Sequence, residues 1–197
     1  MQQAKMRHSH ILITGASSGI GAALARHYAA PEVRLALSGR NRARLSDVAG
    51  QCQEKGAIVT DVAVDVTDRA AMQQWIINED EKQPLDLVIA NAGISGGTGG
   101  SGEGEEQARR IFDVNVAGVL NTVSPVLPRM IARCTGQIAI MSSLASFSGW
   151  PGAPAYSASK GAVRMYGEAL RGAVAPYGVK VNVICPGFIE TPMTAVN

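Results

Sequence analysis

The sequence predicts an α/β fold, a doubly wound parallel sheet in three layers with helices on both faces, and three observations lead there. Short β-branched and aliphatic runs alternate with longer stretches of helical period along all 197 residues, the mark of repeated βαβ units. Each run has the length and apolar character of a strand buried on both faces. The first run passes straight into a glycine-rich turn and then a helix, the order that a phosphate-binding crossover requires.

In chain order, strands are expected at 10–14, 33–38, 58–64, 85–90, 137–141 and 179–185. Between them the stretches 20–30, 42–55, 68–78, 105–133 and 156–177 carry apolar residues at spacings of three and four, as core-facing helices do. Thr67-Asp68 precedes the third helix as a cap, and Gly56 and Gly178 follow the second and the last. Crossovers between parallel strands are right-handed and must cover both faces, so six such strands make a doubly wound sheet. The segment 95–104, with Gly96, Gly97, Gly99, Gly100, Gly102 and Gly104, reads as a mobile loop after the fourth strand.

A chain of this length with 46% hydrophobic residues buries one core, so 10–197 is read as a single domain behind a disordered leader, 1–9. The polar opening lacks the apolar stretch of a signal peptide, and no apolar run approaches the roughly 18 residues that span a bilayer. A net charge of +2 with 17% charged residues offers nothing to grip a polyanion, so neither nucleic acid nor membrane is expected as a partner. Cys52, Cys134 and Cys185 are odd in number and far apart, which reads as reduced thiols in a cytoplasmic protein.

The first strand runs into Thr14-Gly15-Ala16-Ser17-Ser18-Gly19-Ile20-Gly21. Gly15 suits the tight turn, Gly19 lets the backbone approach a diphosphate, and Gly21 lets the helix pack closely on the strand. Around Ser17, Ser18 and Ile20, free amide hydrogens at the helix start meet phosphate charge. In such folds the residue ending the second strand selects between the two nicotinamide dinucleotides. Here Gly39 leaves room and Arg40 presents a charged fork to a 2'-phosphate, which favours NADP(H) over NAD(H), with Ser17 adding a hydroxyl.

The spacing Gly-x-x-x-Gly-x-Gly departs from the general dinucleotide fingerprint and resembles the short-chain dehydrogenase/reductase family, whose domain is a Rossmann fold. The resemblance extends from His10 onward. It makes Asp65-Val66 an adenine-contacting pair and Asn91-Ala92-Gly93 a motif that steadies the sheet and borders the cofactor, with Ile94 near the nicotinamide. Tyr156 and Lys160 stand four residues apart, on one face of a helix. A phenol ionises only near pH 10 and a neighbouring cation favours its charged form. The resemblance gives Tyr156 the part of general acid/base and Lys160 the parts of favouring the phenolate and holding the nicotinamide ribose. It selects Ser143, thirteen positions before Tyr156, over Ser142 to bind the substrate oxygen. By the same resemblance, Asn115 is expected to hold, by backbone or side chain, a water linked to the lysine. Pro186-Gly187, Ile189 and Thr191 resemble the family's turn, which the resemblance places over the nicotinamide.

The activity implied is hydride transfer between NADP(H) and a carbonyl or alcohol. A dinucleotide-sensing protein without turnover is the alternative, although it would usually carry a broken tyrosine-lysine pair. A sugar-nucleotide epimerase or dehydratase shares that pair but is longer and has another glycine spacing. Leu144, Phe147, Trp150 and Pro151 make an apolar substrate wall. Relatives usually continue past Asn197 with a further helix and a seventh strand that helps form a dimer or tetramer, so a homo-oligomer is expected by resemblance. Without those parts, the sixth strand is expected to be an exposed apolar edge.

Overall fold

A computed structural model describes residues 8–96 and 103–193. The expected leader and glycine loop lie largely outside the described residues. Six strands form one parallel sheet in the order β3-β2-β1-β4-β5-β6: β1 His10–Ile13, β2 Arg34–Gly39, β3 Ile58–Ala63, β4 Leu87–Ala90, β5 Gly136–Met141 and β6 Val179–Ile184. This is the doubly wound order with its switch point between β1 and β4. Pairings run in register from Ile11 beside both Leu35 and Leu87 out to Ile138 beside Val181.

Alternate strand residues feed two cores, as a period of two requires. Ile11, Ile13, Leu35, Leu37 and Ile89 pack under α1 (Gly19–Tyr28) and α2 (Arg42–Glu54), against Ala22, Ala25, Leu45 and Val48. Leu12, Val88, Ile138, Ile140 and Val181 face the other way, toward α3 (Arg69–Lys82), α5 (Gly118–Val123), α6 (Leu127–Ala132) and α7 (Pro154–Val174). The cap expected before the third helix is present, since Asp68 accepts from Ala71 N–H at 3.0 Å. Gly56 and Gly178 follow with φ of +88° and +72°.

The expected single helix over 105–133 is interrupted. It comprises α4 (Glu105–Phe112), a π-turn over Asp113–Ala117, then α5 and α6. Pro125 supplies the second break, because it has no N–H to donate and its ring collides with the carbonyl four residues back. An 18-residue window within Glu105–Ala132 reaches a mean hydropathy of 1.2, long and apolar enough to cross a membrane. Its apolar side is nevertheless occupied, with Ile111, Val114, Val119, Val123 and Met130 buried. At the opposite end of the sheet from the glycine turn, buried Asp80 accepts from Arg129, Arg133 and Leu85 N–H, tying α3 to α6. Burial alone would raise the Asp80 carboxyl, but those donors hold it below the usual carboxylate range.

β6 ends the sheet among the described residues. One of its faces packs on α7, while Lys180, Asn182 and Ile184 on the other are exposed. The exposed face of this edge is therefore largely polar where an apolar one was expected.

Candidate active site

The carboxyl ends of the strands open on one cavity of about 330 Å³, the usual position for ligands in open α/β sheets and a usual small-molecule volume. At one end lies the turn between β1 and α1. Gly15 and Gly19 sit at φ of +68° and +53°, the left-handed region that favours glycine. Ala16 N–H donates to Ser38 C=O at 2.8 Å, fastening the turn to β2. Ser18, the N-cap of α1, makes no side-chain capping bond. The opening amides of a helix have no partner within it, which is what suits its N-terminus to an anion. Ser17, Ser18, Gly19 and Ile20 line the cavity; Gly21 stands behind it, against Gly15 and Asn91.

At the end of β2, Gly39 permits Ser17 to sit where a Cβ would come within 2.9 Å of its Oγ. Arg40 lines the rim, and so does Arg44, which sequence reasoning missed although it stands one helical turn further on. Asn41, another missed lining residue, caps α2 by accepting from Arg44 N–H at 3.0 Å. Ser38 is wholly buried on the cavity wall, and its Oγ is left without a partner among the described residues. An orphaned hydroxyl and the first amides of a helix are what a polar, phosphate-bearing ligand would satisfy, so the wall fits a dinucleotide.

Asp65 and Val66 line the same wall. Burial would push the Asp65 carboxyl up, but Thr67 N–H and hydroxyl, at 3.0 and 2.9 Å, and the charges of Arg40 and Arg110 hold it below its ordinary range. Asn91 clamps the switch point: its Nδ2 donates to Thr14 C=O at 2.9 Å, while Thr14 Oγ1 accepts from Asn91 and Ala92 N–H at 3.1 and 3.2 Å. Gly93 passes between two polar groups, since a Cβ there would lie 3.2 Å from both Lys160 Nζ and Asn115 Oδ1.

Ser143, Tyr156 and Lys160 line the other end of the cavity. Ser143 caps the short turn after β5, its Oγ accepting from Ala145 N–H at 3.2 Å. Ser142 lines the cavity too, but its hydroxyl is engaged, donating to Lys160 C=O at 2.8 Å. Lys160 Nζ donates to Met141 C=O at 2.9 Å and lies 5.9 Å from the Tyr156 ring centre. Asn115 is one layer deeper and fully buried, in the π-turn. Its side chain is already engaged: Oδ1 accepts from Ile94 N–H at 2.8 Å, and Nδ2 donates to Ile94 C=O and Ser159 Oγ at 2.9 and 3.0 Å. Both polar ends of that side chain are therefore occupied within the protein.

Burial pushes the Lys160 ammonium down to about 8, with Cys185 working the other way. An unfolded lysine titrates near 10.4. Below pH 8 both states carry the charge and the whole burial cost is present; above it the folded chain sheds its proton first, so stability rises with pH. Relative to Lys160→Met, the ligand-free protein is expected to gain roughly 2 kcal/mol in urea unfolding between about pH 7.5 and pH 9.5. A flat or falling difference would contradict a buried ammonium.

Pro186, Gly187, Ile189 and Thr191 close the cavity from the β6 side, together with Pro192 and Met193, which were not anticipated. The Thr191 methyl lies 3.3 Å from where a Cβ on Gly19 would stand. Leu144 N–H donates to Pro186 C=O at 2.9 Å, joining the loops that follow β5 and β6. Trp150 stacks on Phe188 at 5.5 Å across the same two loops. Leu144, Phe147 and Phe188 are left more than half exposed.

The sequence model described as short chain dehydrogenase matches residues 9–197. An uncharacterized oxidoreductase of Myxococcus xanthus is 41% identical over 195 residues, covering 98% of this chain and 77% of that protein. Among solved structures, NAD+-bound xylitol dehydrogenase superposes with a TM-score of 0.86 at 28% identity, over 95% of this chain and 73% of its own. A structure from Beutenbergia cavernae with NADP bound at low occupancy does so with a TM-score of 0.86 at 29% identity, over 94% and 74%.

Proposed function

The chain belongs to the short-chain dehydrogenase family of oxidoreductases, and on that premise we propose that it moves hydride between NADP(H) and a small carbonyl or alcohol. The observation that carries this reading is that Ser143, Tyr156 and Lys160 line the same cavity as the glycine turn. When bound, the nicotinamide would supply or accept the hydride. Every proton and contact then falls to the protein.

In the reducing direction Tyr156 donates its phenolic proton to the carbonyl oxygen, and Ser143 hydrogen-bonds that oxygen from the end of β5. Lys160, buried against Met141 C=O, favours the phenolate and holds the nicotinamide ribose. A water on the Asn115 main-chain carbonyl resupplies the proton, which the engaged side chain supports. The open amides at Ser18, Gly19 and Ile20 take the diphosphate. Asp65 and Val66 border the adenine. Asn91, Ala92 and Gly93 shape the floor, while Pro186, Gly187, Ile189 and Thr191 cover the nicotinamide.

Preference for NADP(H) is supported by Gly39, Ser17 and the Arg40 and Arg44 guanidinium groups on one rim. The test is an NADPH and NADH oxidation screen over ketones, aldehydes and 3-oxoacyl thioesters. Carbonyl-dependent oxidation faster with NADPH is expected. Arg40→Asp should move the NADPH-to-NADH ratio toward NADH by about tenfold or more, because a hydrogen bond to a charged group is worth about 1.5–3 kcal/mol. An unchanged ratio removes Arg40 from this role; tight binding with no oxidation of any substrate would mark a sensor.

A further inference from the structure

Helix α7 carries Tyr156 and Lys160, yet its N-terminus lacks the side chain that ordinarily closes a helix. The opening N–H groups of any helix have no partner within it, and a Ser, Thr, Asp or Asn at the N-cap usually accepts from one of them. Here the N-cap is Ala153, which makes no side-chain capping bond. Pro154 follows and has no N–H to satisfy, while Ala153 N–H donates to Trp150 C=O at 2.9 Å. The amides of Ala155 and Tyr156 remain. One carboxylate takes both: Glu103 accepts from Ala155 N–H through Oε2 and from Tyr156 N–H at 3.1 Å through Oε1.

Glu103 lies immediately before α4, on the connection from β4. It reaches α7 past Gly96, where a Cβ would stand 2.6 Å from Glu103 Cγ. The other end of the Tyr156 backbone is held as well. Its carbonyl accepts from Ser159 Oγ at 2.8 Å, and that hydroxyl accepts from Asn115 Nδ2. A negative charge also suits the positive end of a 21-residue helix.

From this juxtaposition we propose that Glu103 is a positioning residue for Tyr156, capping α7 from outside and so fixing where the phenol stands. The proposal rests on the reading of Tyr156 as proton donor. Glu103 lies outside the dinucleotide cavity, and its effect is therefore on the reacting geometry and not on cofactor affinity.

The test compares the full chain with Glu103→Ala, Glu103→Gln and Gly96→Ala. The last displaces the carboxylate without removing its charge. Steady-state rates, NADPH affinity by fluorescence titration, amide hydrogen exchange at Ala155 and Tyr156, and the ring resonance of ¹³C-labelled Tyr156 are measured for each. Glu103→Ala and Gly96→Ala should lose about ten- to a hundredfold in kcat, the scale on which a displacement of about 1 Å acts. NADPH affinity should stay within about twofold of the parent, a split that general destabilisation does not produce. Glu103→Gln keeps one acceptor and should fall between, with the two amides exchanging faster and the Tyr156 resonance moved in the same order. Unchanged kcat in both Glu103→Ala and Gly96→Ala, or a loss matched by loss of NADPH affinity, would overturn the proposal. If the parent reduces no carbonyl, the oxidoreductase reading fails by itself. Exchange and the ring resonance then decide alone, and no change in either overturns the cap.

Discussion

Tyr156→Phe is expected to lower carbonyl reduction by at least about a hundredfold, the usual worth of a positioned general acid. The substitution removes one oxygen and keeps the ring, and Tyr156 lines the cavity instead of the core. Folding and dinucleotide binding should therefore survive. Thermal unfolding and NADPH titration, run beside initial rates, separate the two: the rate should collapse while melting temperature and affinity hold. A variant as fast as the parent would take the proton donor's role away from Tyr156. A variant that lost rate and cofactor affinity together would assign the phenol to binding.

The second large effect is expected at Gly21. A Cβ there would lie 2.3 Å from Gly15 O and 2.6 Å from Asn91 Nδ2. Both obstacles are firm, one a backbone carbonyl in the glycine turn and the other an amide locked to Thr14. Alanine is the better helix former by about 1 kcal/mol, but overpacking a tight contact costs about 1–3 kcal/mol. The collision should win. Gly21→Ala is expected to melt earlier and to bind NADPH at least tenfold more weakly, roughly 1.4 kcal/mol. Gly50 in α2 is the control, since nothing lies within 4 Å of its added Cβ. Gly50→Ala should be stabilising by about 0.5–1 kcal/mol, with NADPH binding unchanged. Equal behaviour of the two variants would refute the close approach of α1 to β1 as the reason for glycine at 21.

What could be read in the sequence was whatever short-range pattern controls. Parallel strands announce themselves as apolar runs, so all six appear within about two residues of their observed ends, although the edge strands β3 and β6 are only partly buried. The glycine turn and the Tyr156 and Lys160 spacing are equally local, and the structure brings them to one cavity. Less legible was anything decided by distant partners. The third helix runs four residues past its expected end, to Lys82, beyond the point at which its apolar period fades. The π-turn at Asn115 goes with hydrogen bonds to Ile94 and Ser159, 21 and 44 residues away. Ser38 and Arg44 reach the cavity wall through the placement of β2 and α2. Pro125, by contrast, was a visible break in the stretch 105–133, where apolar spacing carried the reading across it.

The sheet order gives β1 a position out of proportion to its four residues. The pair β3-β2 and the trio β4-β5-β6 meet in the sheet only across His10–Ile13, which bonds β2 on one edge and β4 on the other. The half bearing Arg40 and the half bearing Tyr156 are thus joined at a keystone that sits near the start of the sequence. Trimming that stretch would not fray a margin, as loss of an end often does. It would divide the molecule along its middle and leave each half holding its own share of the residues around the crevice.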